Sequence, residues 1–448
     1  MGKSHPEKIQ LSDHFGYGRL IRFTMPSVLM MIVTSIYGVV DGFFISNFVG
    51  KTPFAAVNFI MPFLMVVGAL GFMFGTGGCA LIAKTMGEGK PQEANKIFSL
   101  LVYATLISGT VIAVLSILFI RPIAAFLGAE GQMLHDAVLY GRIILLSLPF
   151  LMLQYAFSSF FVAAEHPDLG LTVTIIAGVT NMIGDALFMV VFQWDVVGAA
   201  LATMLGQLIG GVIPLIYFAR KNPTSLRLGK TAWDGKAFWK TCSNGSSELM
   251  SNISMSLVGM LYNAQLMKYA GENGVAAYGT IMYVNFIFIA LFIGYSTGIA
   301  PVISFHYGAG NKAELKGLLK KSGVLVLSAS LMMLIISKVL AAPLSRAFVG
   351  YDKALLDMTV HAFTFYAFSF LFAGAAIFGS AFFTALNDGL TSALISFLRT
   401  MVFQVAAVML LPLVWELDGI WLSIVVAECM AVVVTALFLA GKRKKYGY

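Results

Sequence analysis

The chain has 448 residues, of which 59% are hydrophobic and only 11% charged. Water-soluble domains carry roughly 25% charged residues, so a soluble globular protein is excluded and a polytopic all-α membrane protein is expected. The net charge of +8 is read as basic residues gathered in loops on one side of a membrane, and no nucleic-acid partner is expected.

The first residues are polar, and no cleavable signal segment is expected in them; Pro6 stands where a myristoylation motif needs Ser or Thr. Apolar runs of helical length then recur at 20–46, 54–82, 97–120, 138–161, 169–192, 196–219, 246–268, 275–304, 317–341, 359–384, 391–413 and 418–440. Each can cross a hydrocarbon core of roughly 30 Å, which predicts twelve transmembrane helices. Pro26 interrupts the first run and is a static kink or a hinge. Met30, Met31 and Tyr37 follow it as pocket lining or ordinary packing. His166 and Asp168 are expected to be loop and cap residues. Of the 29 Lys and Arg, 21 fall on segments that an even number of spans places on one face, among them Lys3, Lys8, Lys84, Arg220, Lys240, Lys321 and Lys442. That face is expected to be cytoplasmic and to hold both termini.

A shift of 221 residues superposes landmarks without gaps. Gly50 meets Gly271, Thr76–Gly77 meet Thr297–Gly298, Pro122 meets Pro343, and Gly87, Gly89 and Glu93 meet Gly308, Gly310 and Glu314. Six spans per half make the halves parallel repeats, two pseudo-symmetric six-helix lobes beside a central cleft suited to alternating access. The expected division is an N-terminal lobe at 1–219, a basic linker at 220–245 and a C-terminal lobe at 246–448.

The acids break the repeat: Asp41 aligns with Tyr262 and Asp185 with Ala406. A carboxylate inside a span is costly and by default marks function. Asp41, Asn181, Asp185 and Thr203 come from three spans yet all fall roughly 10–16 Å below the outer surface, at about 1.5 Å per residue. Two carboxylates, an amide carbonyl and a hydroxyl make a site for Na+, or for a proton if the shared environment favours the protonated carboxyl. The other reading is hydrogen-bonding glue between helices. Glu248 can cap its helix or face the cleft. Arg399 and Glu428, on neighbouring spans, suggest an ion pair within the C-terminal lobe. Tyr262 joins Tyr37, Met30, Met31 and Glu248 as candidate cleft lining.

Cys79, Cys242 and Cys429 form no metal or disulfide pattern, and HExxH, nucleophile-elbow and phosphate-loop motifs are absent, so no enzyme and no cofactor is expected. The Asp-Arg and Gly-Arg steps of major facilitator transporters are missing from KTMGEGKPQEANK.

The segments YGVVDGFFISNFVG, MGEGKPQEA and NMIGDALFMVVFQWDVVGAALAT, with GSSELMSNIS and GVAAYGTIMYV, resemble the multidrug and toxic compound extrusion (MATE) transporters, in a bacterial MepA-like branch. The resemblance spans essentially the whole chain. It implies a MATE-like twelve-helix fold in the bacterial inner (cytoplasmic) membrane. It also implies export of bulky, often cationic, organic or other amphipathic compounds against inward H+ or Na+. The family's N-lobe cation residues fall on Asp41, Asn181, Asp185 and Thr203. Branches with a C-lobe site carry acids where this chain has Met255 and where its tenth span has none. A monomer in contact with membrane lipid is expected. The alternatives are a flippase of lipid-linked precursors, disfavoured because Arg399 is the one deep base, and an exporter of an endogenous metabolite on the same fold.

Overall fold

Proline at helix starts, Asp or Asn caps and a few left-handed residues set the helix boundaries along the chain. The computed structural model describes residues 9–49 and 51–448; Lys3, Pro6, Lys8 and Gly50 lie outside the described residues. The first half comprises α1 (Tyr17–Phe44), α2 (Lys51–Gly87), α3 (Pro91–Leu127), α4 (Gly131–Leu146), α5 (Leu148–Ala163), α6 (Pro167–Asp185) and α7 (Asp195–Ala219). The second comprises α8 (Gly235–Gly308), α9 (Lys312–Val349), α10 (Lys353–Tyr366), α11 (Ser369–Ala385), α12 (Gly389–Phe397), α13 (Gln404–Leu410) and α14 (Pro412–Tyr446). Among the described residues, nine helices are long and apolar enough to span a membrane, and two bent pairs bring this to eleven. The 74-residue α8 breaks at Gly271, at φ +61°, and so supplies the twelfth.

The repeat is visible in the element starts. Pro91 and Lys312, and Leu148 and Ser369, each stand 221 residues apart, as do the helix ends Gly87 and Gly308. Even the strained residues match: Asp195 at φ +45° pairs with Glu416 at φ +47°.

Several boundaries differ from the apolar runs. The fourth span is the pair α4–α5, bent by 57° at Ser147, next to Pro149, which has no N–H to donate; the tenth is α10–α11, bent by 46°. The helix after the linker starts at Gly235, not 246, because the Asp234 carboxylate caps the Ala237 N–H at 3.1 Å. Residues 221–234 instead run extended against α3, with the Arg227 N–H donating to the Asn95 side chain at 2.7 Å. Three short π-helical segments interrupt the spans: Ile45–Val49, Ala186–Val191 and Leu398–Phe403. Such bulges often lie at functional sites. The second directly follows Asp185 and the third contains Arg399.

Both termini lie on one face. Tyr446 stacks edge-on to Tyr307 and its hydroxyl donates to Asp388 at 2.7 Å. The two halves meet closely at this face. A β-carbon on Gly77 would lie 2.2 Å from the Thr241 carbonyl oxygen, and one on Gly245 1.9 Å from that of Met73. Gly87 and Gly308, the matched ends of the repeat, face Phe305 and Lys84 carbonyls at 2.1 Å on the same construction. Only glycine permits these approaches. Asn387 adds a hydrogen bond across the seam, donating to the Ala80 carbonyl at 3.2 Å, and is itself held within the second half by Lys240, which donates to its backbone carbonyl at 2.6 Å.

The segment before α1 straps this face. The Leu11 N–H donates to Glu165 of the first half at 2.8 Å, while the Phe15 N–H and His14 Nδ1 reach the Glu314 carboxylate of the second half at 3.0 and 2.6 Å. Lys321 donates to the Phe15 carbonyl, and the side chains of Leu11 and Phe15 are fully buried.

Candidate functional site

Two polar regions lie inside the membrane-spanning part, and they do not share a cavity. The first is held by α1, α4, α6 and α7. Asp41 lies beside Asn181, Asp185 and Thr203, and the Thr203 hydroxyl donates to it at 3.4 Å. Asp41, Asn181 and Asp185 are 8%, 4% and 0% exposed. Both carboxylate oxygens of Asp185 and both amide atoms of Asn181 are buried without a hydrogen-bond partner among the described residues. Unpartnered buried oxygens are costly, and two such side chains, Asn181 and Asp185, converging with Asp41 and Thr203 suit a small cation or a proton. Small residues let the helices close around them: a β-carbon on Gly206 would touch Asn181 at 3.1 Å, and one on Gly184 would meet Ala202 at 2.9 Å.

Tyr140 of α4 is the residue that sequence reasoning missed. It is fully buried next to Asp41 and Thr203, and its hydroxyl has no partner among the described residues. It lies only two residues into the apolar run at 138–161, roughly 3 Å from its end, so depth along the sequence does not set it level with the acids. The helix in fact starts earlier, at Gly131, and a tyrosine in an apolar run reads as packing.

The second region is a central cavity of about 460 Å³ between the halves. Met31, Glu248, Tyr262, Arg399 and Glu428 line it, with Tyr278 and Tyr366. Tyr262 and Tyr278 stack in parallel, 5.3 Å between ring centres. The Arg399 Nε donates to both Glu428 oxygens, at 3.0 and 2.8 Å. Asp41, Asn181, Asp185 and Thr203 are not among the lining residues. Two expected cleft residues are also elsewhere. Met30 is buried with its sulfur toward Gly170, and the Tyr37 ring lies over Gly178, where a β-carbon would meet it at 2.8 Å. Both sit on the face of α1 turned to α6, since helical spacing puts Met30 and Tyr37 on one stripe and Met31 on another. His166 is the residue before α6, whose first turn holds Asp168.

Pro26 lies inside an unbroken α1. The turn around it is wedged against the second half: a β-carbon on Gly294 would lie 2.5 Å from the Val28 Cα, and one on Gly298 3.1 Å from Thr24. Beyond Met30 the same helix runs along α6. Ser35 still donates to the Phe286 carbonyl of the second half at 3.4 Å, so α1 lies between the halves, and at Pro26, on the stretch packed most closely on the second half, it lacks one backbone hydrogen bond.

The MatE family model matches residues 26–187 and 249–410, one match in each half of the repeat. The chain belongs to the MatE family. It is thus a multi-pass membrane transporter and not an enzyme. Among relatives of this MatE protein, Multidrug export protein MepA of Staphylococcus saprophyticus is 23% identical over 94% of this chain and 92% of its own. The MepA of Staphylococcus haemolyticus is 28% identical over 67% of this chain and 66% of its own. A multidrug resistance MATE family transporter of the MOP superfamily, solved in an outward-facing conformation, superposes with a TM-score of 0.93. It is 20% identical, over 99% of this chain and all of that one, and the match establishes the twelve-helix fold.

Proposed function

We propose that this MatE protein is a secondary active multidrug exporter, moving amphipathic organic compounds, small organic cations among them, out of the cell against inward H+ or Na+. The observation that carries the reading is the membrane-embedded set Asp41, Asn181, Asp185 and Thr203, in which Asn181 and Asp185 are buried without hydrogen-bond partners among the described residues and none of which lines the central cavity. The names of the MepA relatives support export of drugs. The face holding both termini and most of the Lys and Arg is the cytoplasmic face of the inner membrane. The close contacts on that face make the structure one that is shut toward the cytoplasm. The lobes that move are 1–219 and 246–448, joined by 220–245, in a monomer surrounded by lipid.

The mechanism follows from the separation of the two regions. Cation and substrate do not contend for the same atoms, so their antagonism passes through α1. A proton or Na+ entering from outside meets Asp41 and Asp185 and relieves the repulsion between their carboxylates. Asp41 is on α1, and the position of that helix between the halves depends on the turn at Pro26. Drawing α1 toward α6 narrows the cavity from the Met31 side and releases the substrate outward. Rocking of the lobes then opens the glycine seam and the N-terminal strap, and the cation leaves to the cytoplasm.

The test is transport by the purified protein in liposomes, with Na+ and pH gradients imposed separately. A cationic dye should move against one of the two gradients, and not when both are collapsed. Equal dye movement with no gradient would sink the antiport reading.

A further inference from the structure

A second cavity lies outside the path between the halves, on the lipid-facing side of α9 and α10. α9 leaves the face that carries the termini at Lys312 and runs 38 residues, about 57 Å, to the opposite face. α10 returns from there, starting at Lys353. The groove between them has a volume of about 440 Å³ and is lined by Arg346, Leu356, Asp357, His361 and Thr364, among others. None of these lines the central cavity, whereas Tyr366, on the other face of α10, does.

Helical spacing gives the groove two stripes. Lys338, Ala342 and Arg346 follow one another along α9, and Asp357, His361 and Thr364 along α10. The apolar run of α9 spans 317–341, so Lys338 stands in its last turn and Arg346 about 12 Å farther out, at about 1.5 Å per residue. That interval brackets the headgroup layer of a bilayer, roughly 5–7 Å thick on each side of the hydrocarbon core.

The charges at this level are exposed and largely uncommitted. Arg346 and Asp357 share the cavity, yet among the described residues neither side chain makes an ion pair or hydrogen bond. The Lys338 ammonium has only the Phe368 ring, 3.9 Å from its centre. His361 is engaged, by Asp418 at 2.8 Å. The scaffold does not require this set. Across the repeat, Lys338 and Arg346 meet Ile117 and Ala125. Asp357 meets Asp136, which is buried and accepts a hydrogen bond from Gln132 at 2.8 Å. The acid that the first half turns inward is left facing outward in the second.

A lysine at the edge of the hydrocarbon is costly, and an anion at its level offsets the cost. A guanidinium fork suits a phosphodiester held by two parallel hydrogen bonds, and a lysine adds a point charge. Asp357, on the wall facing Arg346, suits an ammonium group one short linker from that phosphate. Leu331 and Ile335, 47% and 63% exposed, continue the α9 stripe below Lys338 as a track for an acyl chain. A soluble anion would leave both the track and Asp357 unused.

We propose that the groove between α9 and α10 binds one phosphatidylethanolamine molecule from the leaflet opposite the termini, with its phosphate on Arg346 and Lys338, its ammonium on Asp357 and a chain along Ile335 and Leu331. The lipid ties α9 to α10 from behind, and α10 presents Tyr366 to the central cavity. The assignment does not depend on what that cavity carries.

The experiment titrates full-length protein, freed of lipid in detergent, with phosphatidylethanolamine and with phosphatidylglycerol, which keeps the phosphate and lacks the ammonium. Mass spectrometry of the intact protein counts the lipid retained. Wild-type protein should hold one phosphatidylethanolamine about tenfold more tightly than phosphatidylglycerol, the worth of one charge-assisted hydrogen bond. R346Q/K338Q should weaken both lipids by about tenfold or more, and Asp357→Asn should bring the two to within about twofold of each other. Lys353→Gln, which removes an exposed lysine one turn from Asp357, should change neither. Thermal unfolding without lipid checks that each variant is folded, and R346Q and K338Q made singly, each with part of the loss, serve if the double variant is not. Equal retention by wild type and the Arg346 and Lys338 variants would overturn the proposal. So would equal wild-type affinity for the two lipids, a loss in K353Q as large as that in R346Q, or displacement of the lipid by millimolar inorganic phosphate, which would make the groove a site for a free anion.

Discussion

Position 41 holds an aspartate and its repeat partner, position 262, holds a tyrosine. The two sit at matched places in matched helices, yet one belongs to a sealed set of oxygens and the other lines the central cavity. The same holds around them. Asn181, Asp185 and Thr203 face Val402, Ala406 and Ile424 across the repeat. Duplication supplied one scaffold twice, and substitution then divided the labour. The first half keeps its carboxylates off the central cavity, while the second places charge and aromatic rings along it. On the proposed antiport, such a division keeps cargo and cation apart.

The comparison can be broken most sharply at the acids. Asp41→Asn and Asp185→Asn should each reduce efflux to background, measured as drug resistance in cells and as gradient-driven uptake in liposomes, with the unfolding temperature held or raised. Full efflux in either variant would leave the first half without its special role. A compensating change, Tyr262→Asp in the Asp41→Asn background, should not restore coupling, because Val402, Ala406 and Ile424 supply no further oxygens.

Next in size is the ion pair on the other side. Glu428→Gln alone strands Arg399 and should cost about 3–5 kcal/mol of stability, whereas R399Q/E428Q should cost much less; a thermal unfolding series on the purified protein compares them. Equal losses would mean that the pair is not energetically coupled.

Pro26→Ala restores the missing backbone bond at the turn where α1 is wedged against the second half. It should slow transport by about tenfold while cation-dependent stabilisation of the purified protein persists. A variant that also loses the stabilisation would place Pro26 in the site rather than in the hinge.

The glycine seam and its strap, on the face proposed to be cytoplasmic, give a smaller effect. Replacing Glu314 by Gln loosens the strap at Phe15 and His14. Cys79 lines the cavity near this seam. In a background with Cys242 and Cys429 changed to Ser, it should then react with a charged thiol reagent a few-fold faster from the cytoplasmic side, by roughly the shift of a two-state equilibrium by 1 kcal/mol. An unchanged rate would make the strap ornamental.

The smallest effect concerns pH. Burial works to raise the Asp388 carboxyl, but Lys442, Tyr446 and Thr391 outweigh it and bring its pKa down to about 2. A depressed carboxyl contributes stability that is present above its ordinary range near 4 and fades as pH falls toward 2. The anchoring of the α14 end through Asp388 should therefore be flat from neutral pH to about 4, which amide exchange at Tyr446 reports. A loss of protection already at pH 6 would assign the anchor to another group.

Much of this could be read from the chain alone. Twelve spans follow from hydropathy and the thickness of a bilayer, and the repeat follows from a constant offset, because both are linear properties. Depth is linear too, so Asp41, Asn181, Asp185 and Thr203 could be set at one level before any helix was packed. Rotation about the helix axis is not linear in the same way. Met30 and Met31 are neighbours in sequence, but one turns to α6 and the other to the cavity. Tyr37 follows Met30, and Tyr140 arrives from a span with no acid in its apolar run to draw notice. The bends at Ser147 and the π-helical turns at Asp185 and Arg399 alter which face each side chain takes. The sequence by itself thus determined the class, the number of spans, the twofold plan and the level of the acids. Only the tertiary structure decided that the acids stand apart from the cavity, because azimuth and neighbour contacts arise from packing between helices distant in the chain.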